Sequence, residues 1–491
     1  MAGDSHGTTW RVGKVRRETI KIERWTRKYD RSTGTFKINI RYKCKTEVTP
    51  RTIGVAEAFG IGVDDYTEHV IYDDLTLKIG PKDIVYITGD SGSGKSVLLR
   101  AMEKDLGNKA ININKISVDP DKPIIETVGR TFDEALMLLS RVGLNDAYLF
   151  LRRYHELSDG QKYRYKLAKL MESDKQWWLM DEFCSTLDRD TAKIVAYNVQ
   201  KQARRMGKAI IASTTHTDLF EDLKPSVHIH KGWGKRIQVK YYPNKLNKVC
   251  SITRQMRIEE ASLSDYKQLA EFHYRNPKTY PPPLKIFKLT RGDELAGVIF
   301  YAPSPPNIYG RTKFFGRQLS IREVNEKLAT ISRVIIHPKY RSIGLGVKLV
   351  SETLPLVGKP YIETMAVMAK YNPFFEKAGM KRVAVRKLDK SIMKAVEGLE
   401  RLGFKRYLLA SREANKARLN QLSREGVEDV KAILVSVSPA YYKRLRSTKR
   451  IYPKRGEYRA WLEKADNETL AKVIARLAVL AQEKVYLIWK K

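Results

Sequence analysis

Two periodicities divide the chain. Near the amino end, short runs alternate polar and apolar residues (ETIKIERW, TFKINIRY) around DRSTGT, which predicts a small hairpin of strands. From about Val55 to Tyr242 the pattern becomes strand, glycine-rich loop, helix, then further strand–helix alternation. That order predicts an α/β domain with a largely parallel sheet. KYYPNKLNK reads as a linker. A second α/β pattern follows from Ile252 to about Val385, with MRIEEA as a strand and SDYKQLAEFHY as a helix. LKIFKLTRGDELAGVIFY there reads as a hairpin turning at Arg291, Gly292 and Asp293. Beyond roughly Lys387 the period is mainly helical. The expected organisation is α/β multidomain: residues 1–51, a basic extension; 52–245, a parallel α/β domain; 250–387, a smaller α+β domain; 388–491, a basic, mainly helical region.

The length of 491 residues supports several cores, and 42% hydrophobic content argues against global disorder. The longest apolar candidate, Ala471 to Trp489, is interrupted by Lys472, Arg476, Glu483 and Lys484, which predicts no membrane-spanning helix. The opening MAGDSHGTTW has no apolar core of a secretory signal. Three scattered cysteines, Cys44, Cys184 and Cys250, fit a reducing compartment, so a cytoplasmic protein is expected.

Charge changes this picture. The formal net charge is +37. Residues 1–51 hold 14 basic and 5 acidic groups, and residues 381–491 hold 28 and 12, so the excess gathers at the ends. Arg11, Lys14, Arg16, Arg17, Arg24, Arg27 and Lys28 form one patch. YYKRLRSTKRIYPKR, from Tyr441 to Arg455, forms another, with seven cations, no acid and interleaved Tyr441, Tyr442 and Tyr452. Cations for phosphates and rings for bases predict a nucleic-acid partner, RNA or DNA. A solvated helix face is the plain alternative.

The candidate chemistry is more specific. Gly89, Asp90, Ser91, Gly92, Ser93, Gly94, Lys95 and Ser96 follow the apolar strand IVYIT and precede the helix VLLRAMEK. This G-x-x-x-x-G-K-S turn aims backbone N–H groups inward as a phosphate nest. Lys95 then reaches the β- and γ-phosphates of ATP, and the Ser96 hydroxyl reaches Mg²⁺. Further along, the apolar WWLM ends in Asp181 and Glu182. Asp181 is the candidate Mg²⁺ carboxylate, and Glu182 is placed to orient or activate water.

Around these residues the chain resembles ABC-type ATPases. LSDGQ (Leu157 to Gln161) resembles their signature sequence, and Ser185-Thr186-Leu187-Asp188 resembles their D-loop. His216, in IIASTTHTDL, resembles the switch histidine, and Tyr66 the aromatic that stacks on adenine. The resemblance covers about residues 52–242. It implies ATP and Mg²⁺ as cofactors, catalytic roles for Glu182 and His216, ATP-binding roles for Gln161 and Asp188, and a homodimer in which Ser158 and Gly160 of one copy face the nucleotide on the other. The glutamine usual between the glycine-rich loop and the signature is missing from Val97 to Gly160. Asp119 falls near its place as a further Mg²⁺ candidate.

A second anion nest lies in the later α/β region. The strand RVIIHP precedes Arg341, Ser342, Ile343, Gly344, Leu345 and Gly346, and the helix VKLVSETL follows. With YNPFFEKAGM, this resembles the acetyl-CoA-binding core of GNAT acetyltransferases over about residues 252–385. The resemblance implies that Arg341 to Gly346 hold the coenzyme's pyrophosphate, with Val334 to Ile336 beside the pantetheine arm. Phe375 stands where many such enzymes have a tyrosine acid, leaving Tyr371 and Glu363 as substitutes, with His337 as a candidate base. The resulting expectation is an ATP-hydrolysing ABC-type ATPase coupled to an N-acetyltransferase-like domain acting on nucleic acid, RNA first, or on a nucleoprotein. Its rivals are a mechanochemical ATPase on DNA or ribosomes with a non-catalytic GNAT docking module, a transporter ATPase subunit, and a small-molecule amine acetyltransferase.

Overall fold

The computed structural model describes residues 20–44, 47–62, 67–273, 280–370, 372–386, 389–437 and 457–491. The chain separates into two compact units. The first comprises Met1–Lys278, Lys288–Val298 and Ile335–Gly346. The second comprises Thr279–Phe287, Ile299–Val334 and Val347–Lys491.

In the first unit, β1 (Ile20–Asp30), β2 (Thr35–Cys44) and β3 (Thr67–Lys78) form an antiparallel sheet in that order. Phe36, Ile38 and Ile40 alternate inward along β2, as a half-buried strand requires. The hairpin expected of the extension is therefore joined edge-on to β3, from Thr35 opposite Lys78 to Cys44 opposite Thr67. Tyr29 and Phe36 both set ring edges against Trp177.

A six-stranded sheet carries the chemistry. Its strands are β4 (Ile84–Gly89), β5 (Ala110–Asn112), β6 (Trp177–Met180), β7 (Ala209–Ser213), β8 (Val227–Lys231) and β9 (Ile237–Tyr241). Their order is β5-β6-β7-β4-β8-β9, parallel except for β9. Every residue of β4, β6 and β7 is buried. Parallel strands covered on both faces need such unbroken apolar runs. The carboxyl ends of these strands put the 89–94 loop, Asp181 and Thr214 side by side. The expected linker is held down: Tyr197 Oη donates to Lys248 O at 2.9 Å, and Gln200 Nε2 to Asn247 O at 3.1 Å.

The second unit carries most of a seven-stranded sheet of order β10-β11-β12-β13-β14-β16-β15. These strands are β10 (Arg257–Glu260), β11 (Lys285–Arg291), β12 (Glu294–Pro303), β13 (Leu328–Ile336), β14 (Tyr361–Ala366), β15 (Lys381–Arg386) and β16 (Lys484–Lys490). The parallel pairing of β13 and β14 runs only from Leu328 opposite Tyr361 to Thr330 opposite Glu363. Just beyond it, Thr364 Oγ1 donates to Ile331 O at 3.1 Å. Helices Lys390–Arg401, Arg412–Gln421, Arg424–Val435 and Asn467–Leu480 build a separate apolar core. Ile392, Ala395, Val396 and Leu399 supply the buried stripe of the first of them. The basic region was expected to be mainly helical, yet its last segment, β16, lies between β14 and β15.

Candidate functional site

The loop after β4 turns on Gly89, Gly92 and Gly94, all at positive φ. Side chains are disfavoured there. The helix Lys95–Leu106 starts directly from it. Lys95 is buried, and its Nζ donates to Gly89 O at 2.8 Å and Asp90 O at 2.5 Å. Burial lowers the pKa of this ammonium against the opposing pull of Asp90 and Asp181. Among the described residues, the buried Ser93 Oγ has no hydrogen-bond partner.

Asp181, at the end of β6, organises the facing wall. Its Oδ1 accepts from Ser96 Oγ at 2.8 Å, Ser213 Oγ at 2.5 Å and the Glu182 N–H at 3.1 Å. Glu182 and Cys184 both take left-handed backbone, with φ of 52° and 58°. The Phe183 N–H donates to Ser213 O at 2.7 Å and ties this turn to β7. A cavity of about 390 Å³ results, lined by Ser91, Gly92, Gly94, Lys95, Ser96, Asp181, Glu182, Ser185 and the Ser213–Thr215 stretch, among others. The residues fit a magnesium nucleotide. Ser96 and Asp181 supply the hard oxygen ligands that Mg²⁺ takes. Lys95, the loop N–H groups and the orphaned Ser93 hydroxyl suit phosphate oxygens.

The other expected residues lie elsewhere. Ser158 and Gln161 form a reciprocal cap on the helix Asp159–Glu172: Ser158 N donates to Gln161 Oε1 at 3.1 Å and Gln161 N to Ser158 Oγ at 3.4 Å. A β-carbon on Gly160 would stand 3.3 Å from Thr191. Asp188 caps the helix Arg189–Met206 through Thr191 N at 3.0 Å. His216 is half-buried after β7, its carbonyl accepting from Tyr86 Oη. None of these five lines the cavity, and neither does Asp119. Asp119 pairs with Lys122 at 3.0 Å, and hydrogen bonding from Lys122 holds its carboxyl below the usual range. An amide does reach the site: Asn114 Nδ2 donates to Asp181 O at 3.1 Å. Asn114 and Ser213 escape a reading by sequence, because their only signal is position just beyond or at a strand end. Tyr66, Tyr371, Arg11, Lys14, Arg16, Arg17 and the whole 441–455 tract lie outside the described residues.

Residues 337–346 form the second candidate loop. Arg341 is committed to the protein: Nε donates to Ile336 O at 3.0 Å, Nη2 to Phe272 O at 3.5 Å, and Nη1 lies 3.5 Å from Asp146. Burial lowers its pKa, with Asp146 opposing. Ser342 accepts from Asn198 Nδ2 at 2.6 Å, and Ile343 O accepts from Thr253. Gly344, at φ 93°, is exposed with open space at its β-carbon position. Leu345 is buried and Gly346 half-buried at the start of the helix Leu345–Thr353. Val334 and Ile336 are half-buried on one face of β13, alternating with buried Ile335. Phe375 is buried. His337 Nδ1 accepts from Lys339 N at 3.3 Å. Glu363 is fully buried and bound by Arg311 at 2.6 and 3.2 Å and by Tyr486 Oη at 2.8 Å.

The profile of the family described as ABC transporter matches residues 72–185, which span this phosphate loop and Asp181. The cytochrome c biogenesis ATP-binding export protein CcmA of Reclinomonas americana is 30% identical over 179 residues, 30% of this chain and 80% of that protein. The chain belongs to the ABC transporter family. Its ABC domain is also 26% identical over 155 residues to the ribosome protection protein VmlR of Bacillus subtilis, covering 32% of this chain and 27% of VmlR. Among solved structures, a dimeric post-hydrolysis ATP-binding cassette, MJ0796 bound to ADP and Pi, aligns with 35% of this chain and 91% of its own at 19% identity and TM-score 0.30. Among the described residues, no helix of this ABC protein is long and apolar enough to cross a membrane.

Proposed function

We propose that this ABC protein binds and hydrolyses ATP with Mg²⁺ in the cavity between the 89–94 loop and Asp181. The observation that carries this reading is the 2.8 Å bond from Ser96 to Asp181 beside the buried Lys95. In this reading Lys95 and the loop amides hold the phosphates, Ser96 and Asp181 hold the metal, and Glu182 orients water. Bound Mg²⁺ supplies charge neutralisation on the phosphates. A homodimer, with Ser158 and Asp188 of each copy facing the other's nucleotide, completes the site.

The second part of the proposal is an N-acetyltransferase-like module that takes acetyl-CoA and acts on nucleic acid, RNA first, or on a nucleoprotein. The open space at Gly344, in the loop that follows β13, favours a coenzyme phosphate there. The charge excess favours a polyanionic target. A second reading keeps the ATPase and makes the later fold a docking module on ribosomes or DNA. The commitment of Arg341 to Asp146 favours it, as does the likeness to a protein named for ribosome protection.

Two measurements separate these. Mg-ATP is expected to bind the wild type and to release phosphate, while Lys95→Ala loses binding and Glu182→Gln binds without turnover and sizes as a dimer. A wild type that ignores ATP removes the first part. Calorimetry with acetyl-CoA is expected to give heat with the wild type and none with Gly344→Trp. No heat with either protein leaves the docking reading.

A further inference from the structure

The backbone that leaves the nucleotide cavity runs without interruption into a cluster of opposite charges. Asp181, Glu182 and Ser185 line the cavity. Ser185 N then donates to Glu182 O at 3.0 Å, Leu187 N to Cys184 O at 3.3 Å, and Asp188 caps the next helix. Two residues on, Asp190 Oδ2 meets Arg291 Nη1 at 2.6 Å and Lys339 Nζ at 2.9 Å. All three side chains are at least 73% buried, being 20%, 24% and 27% exposed. Each cation is held from a second direction: Arg291 Nε donates to Gln255 Oε1 at 2.6 Å, and Lys339 lies 3.5 Å from Glu294.

The same loop is gripped from a neighbouring helix. The buried guanidinium of Arg164 donates to Pro338 O at 3.3 Å and Lys339 O at 3.0 Å. Asn198 holds Ser342 at 2.6 Å. Lys339 therefore has its carbonyl and its ammonium fixed by two different helices of the ABC domain.

What needs this support is the turn between cavity and cluster. Glu182 and Cys184 are both non-glycine residues in the left-handed region. Such backbone is costly and persists where surrounding contacts over-determine it. Phe183 anchors one end of the turn on β7. Asp190 anchors the other.

We propose that Asp190 is a positioning residue for ATP hydrolysis: its pairs with Lys339 and Arg291 hold the 181–188 turn so that Asp181 and Glu182 stay in register with the phosphate loop. The inference rests on the ATPase reading. It makes the 288–298 and 335–346 segments working parts of the ATPase, whatever else the later loop binds.

The test uses the full chain, with equilibrium Mg-ATP binding and steady-state turnover measured on the same preparations. Asp190→Ala is expected to lower kcat roughly tenfold or more, the scale of a small misplacement of reacting groups. Its Kd for Mg-ATP is expected to rise less than its kcat falls, since Lys95 and the loop amides that grip the phosphates do not hang on this turn, while the water-orienting Glu182 does. Asp190→Glu restores most of the turnover, and Lys339→Met reproduces part of the loss. Turnover in Asp190→Ala equal to wild type overturns the inference. So does a parallel fall of affinity and kcat that glutamate fails to rescue. Wild-type protein that neither binds nor hydrolyses ATP defeats the ATPase reading itself, a result distinct from both.

Discussion

A β-carbon placed on Gly89 would stand 2.0 Å from the carbonyl oxygen of Lys231 and 2.9 Å from its carbonyl carbon. The last residue of β4 and the last residue of β8 thus touch backbone to backbone at the mouth of the phosphate loop. Gly89 is also at φ 139°, outside the range a side chain accepts.

Gly89→Ala is accordingly expected to destabilise the protein by about 3 kcal/mol or more, from steric conflict and backbone strain together. Gly107→Ala is the control. It shares a positive φ but has nothing within 4 Å of its β-carbon position. Its expected cost is about 1 kcal/mol. Urea unfolding of both variants reads the difference, and equal costs would show that the contact with Lys231 is not real.

Arg311 and Glu363 form an ion pair at 2.6 Å with side chains 6% and 0% exposed. Arg311 also donates to Pro305 O and Pro306 O, each at 2.8 Å. Tyr486 Oη donates to the same carboxylate, which completes the network. Arg311→Met leaves a buried carboxylate without its counter-ion and is expected to cost about 3–5 kcal/mol. Adding Glu363→Leu removes the orphaned charge and recovers much of that. Denaturant midpoints of the single and double variants check it, and a silent single variant sinks it.

The Asp190–Lys339 pair carries a pH signature. Burial by itself would raise the Asp190 carboxyl, but hydrogen bonds from Lys339 and Arg291 outweigh it and hold the pKa below its usual value. Burial would likewise lower Lys339, and its bonds to Asp190 and Tyr340 raise it instead. A depressed carboxylate stabilises the fold above its unfolded pKa and loses that contribution as pH falls through the folded value. A raised ammonium contributes below the ordinary lysine value and loses it as pH rises through the folded one. The pair's contribution is therefore level across neutral pH and fades in acid. Thermal melts are expected to separate wild type from Asp190→Asn at pH 7, and the gap is expected to close below about pH 4, the ordinary carboxylate range. A gap that persists unchanged into acid would rule the linkage out.

The phosphate loop, the strand before it and the carboxylates after WWLM were legible because each is set by a few consecutive residues. Glycines define the turn, and an unbroken apolar run defines a strand covered on both faces. Other features were hidden by distance along the chain. Asn114 reaches Asp181 across 67 residues. Arg341 reads as an anion-binding arginine from its motif, yet its guanidinium ends on Asp146 and on carbonyls of Ile336 and Phe272.

Local sequence by itself determined the nucleotide-binding turn, the parallel α/β order around it and the amphipathic helices near the carboxyl end, since backbone propensity and apolar period act over a few residues. Tertiary structure alone decided that KVYLIWK closes the later sheet between β14 and β15, that the amino-terminal hairpin pairs with β3, and that Lys339 meets Asp190. Those outcomes depend on which distant edges and charges the folded chain brings within hydrogen-bond reach, and no short-range pattern encodes that proximity.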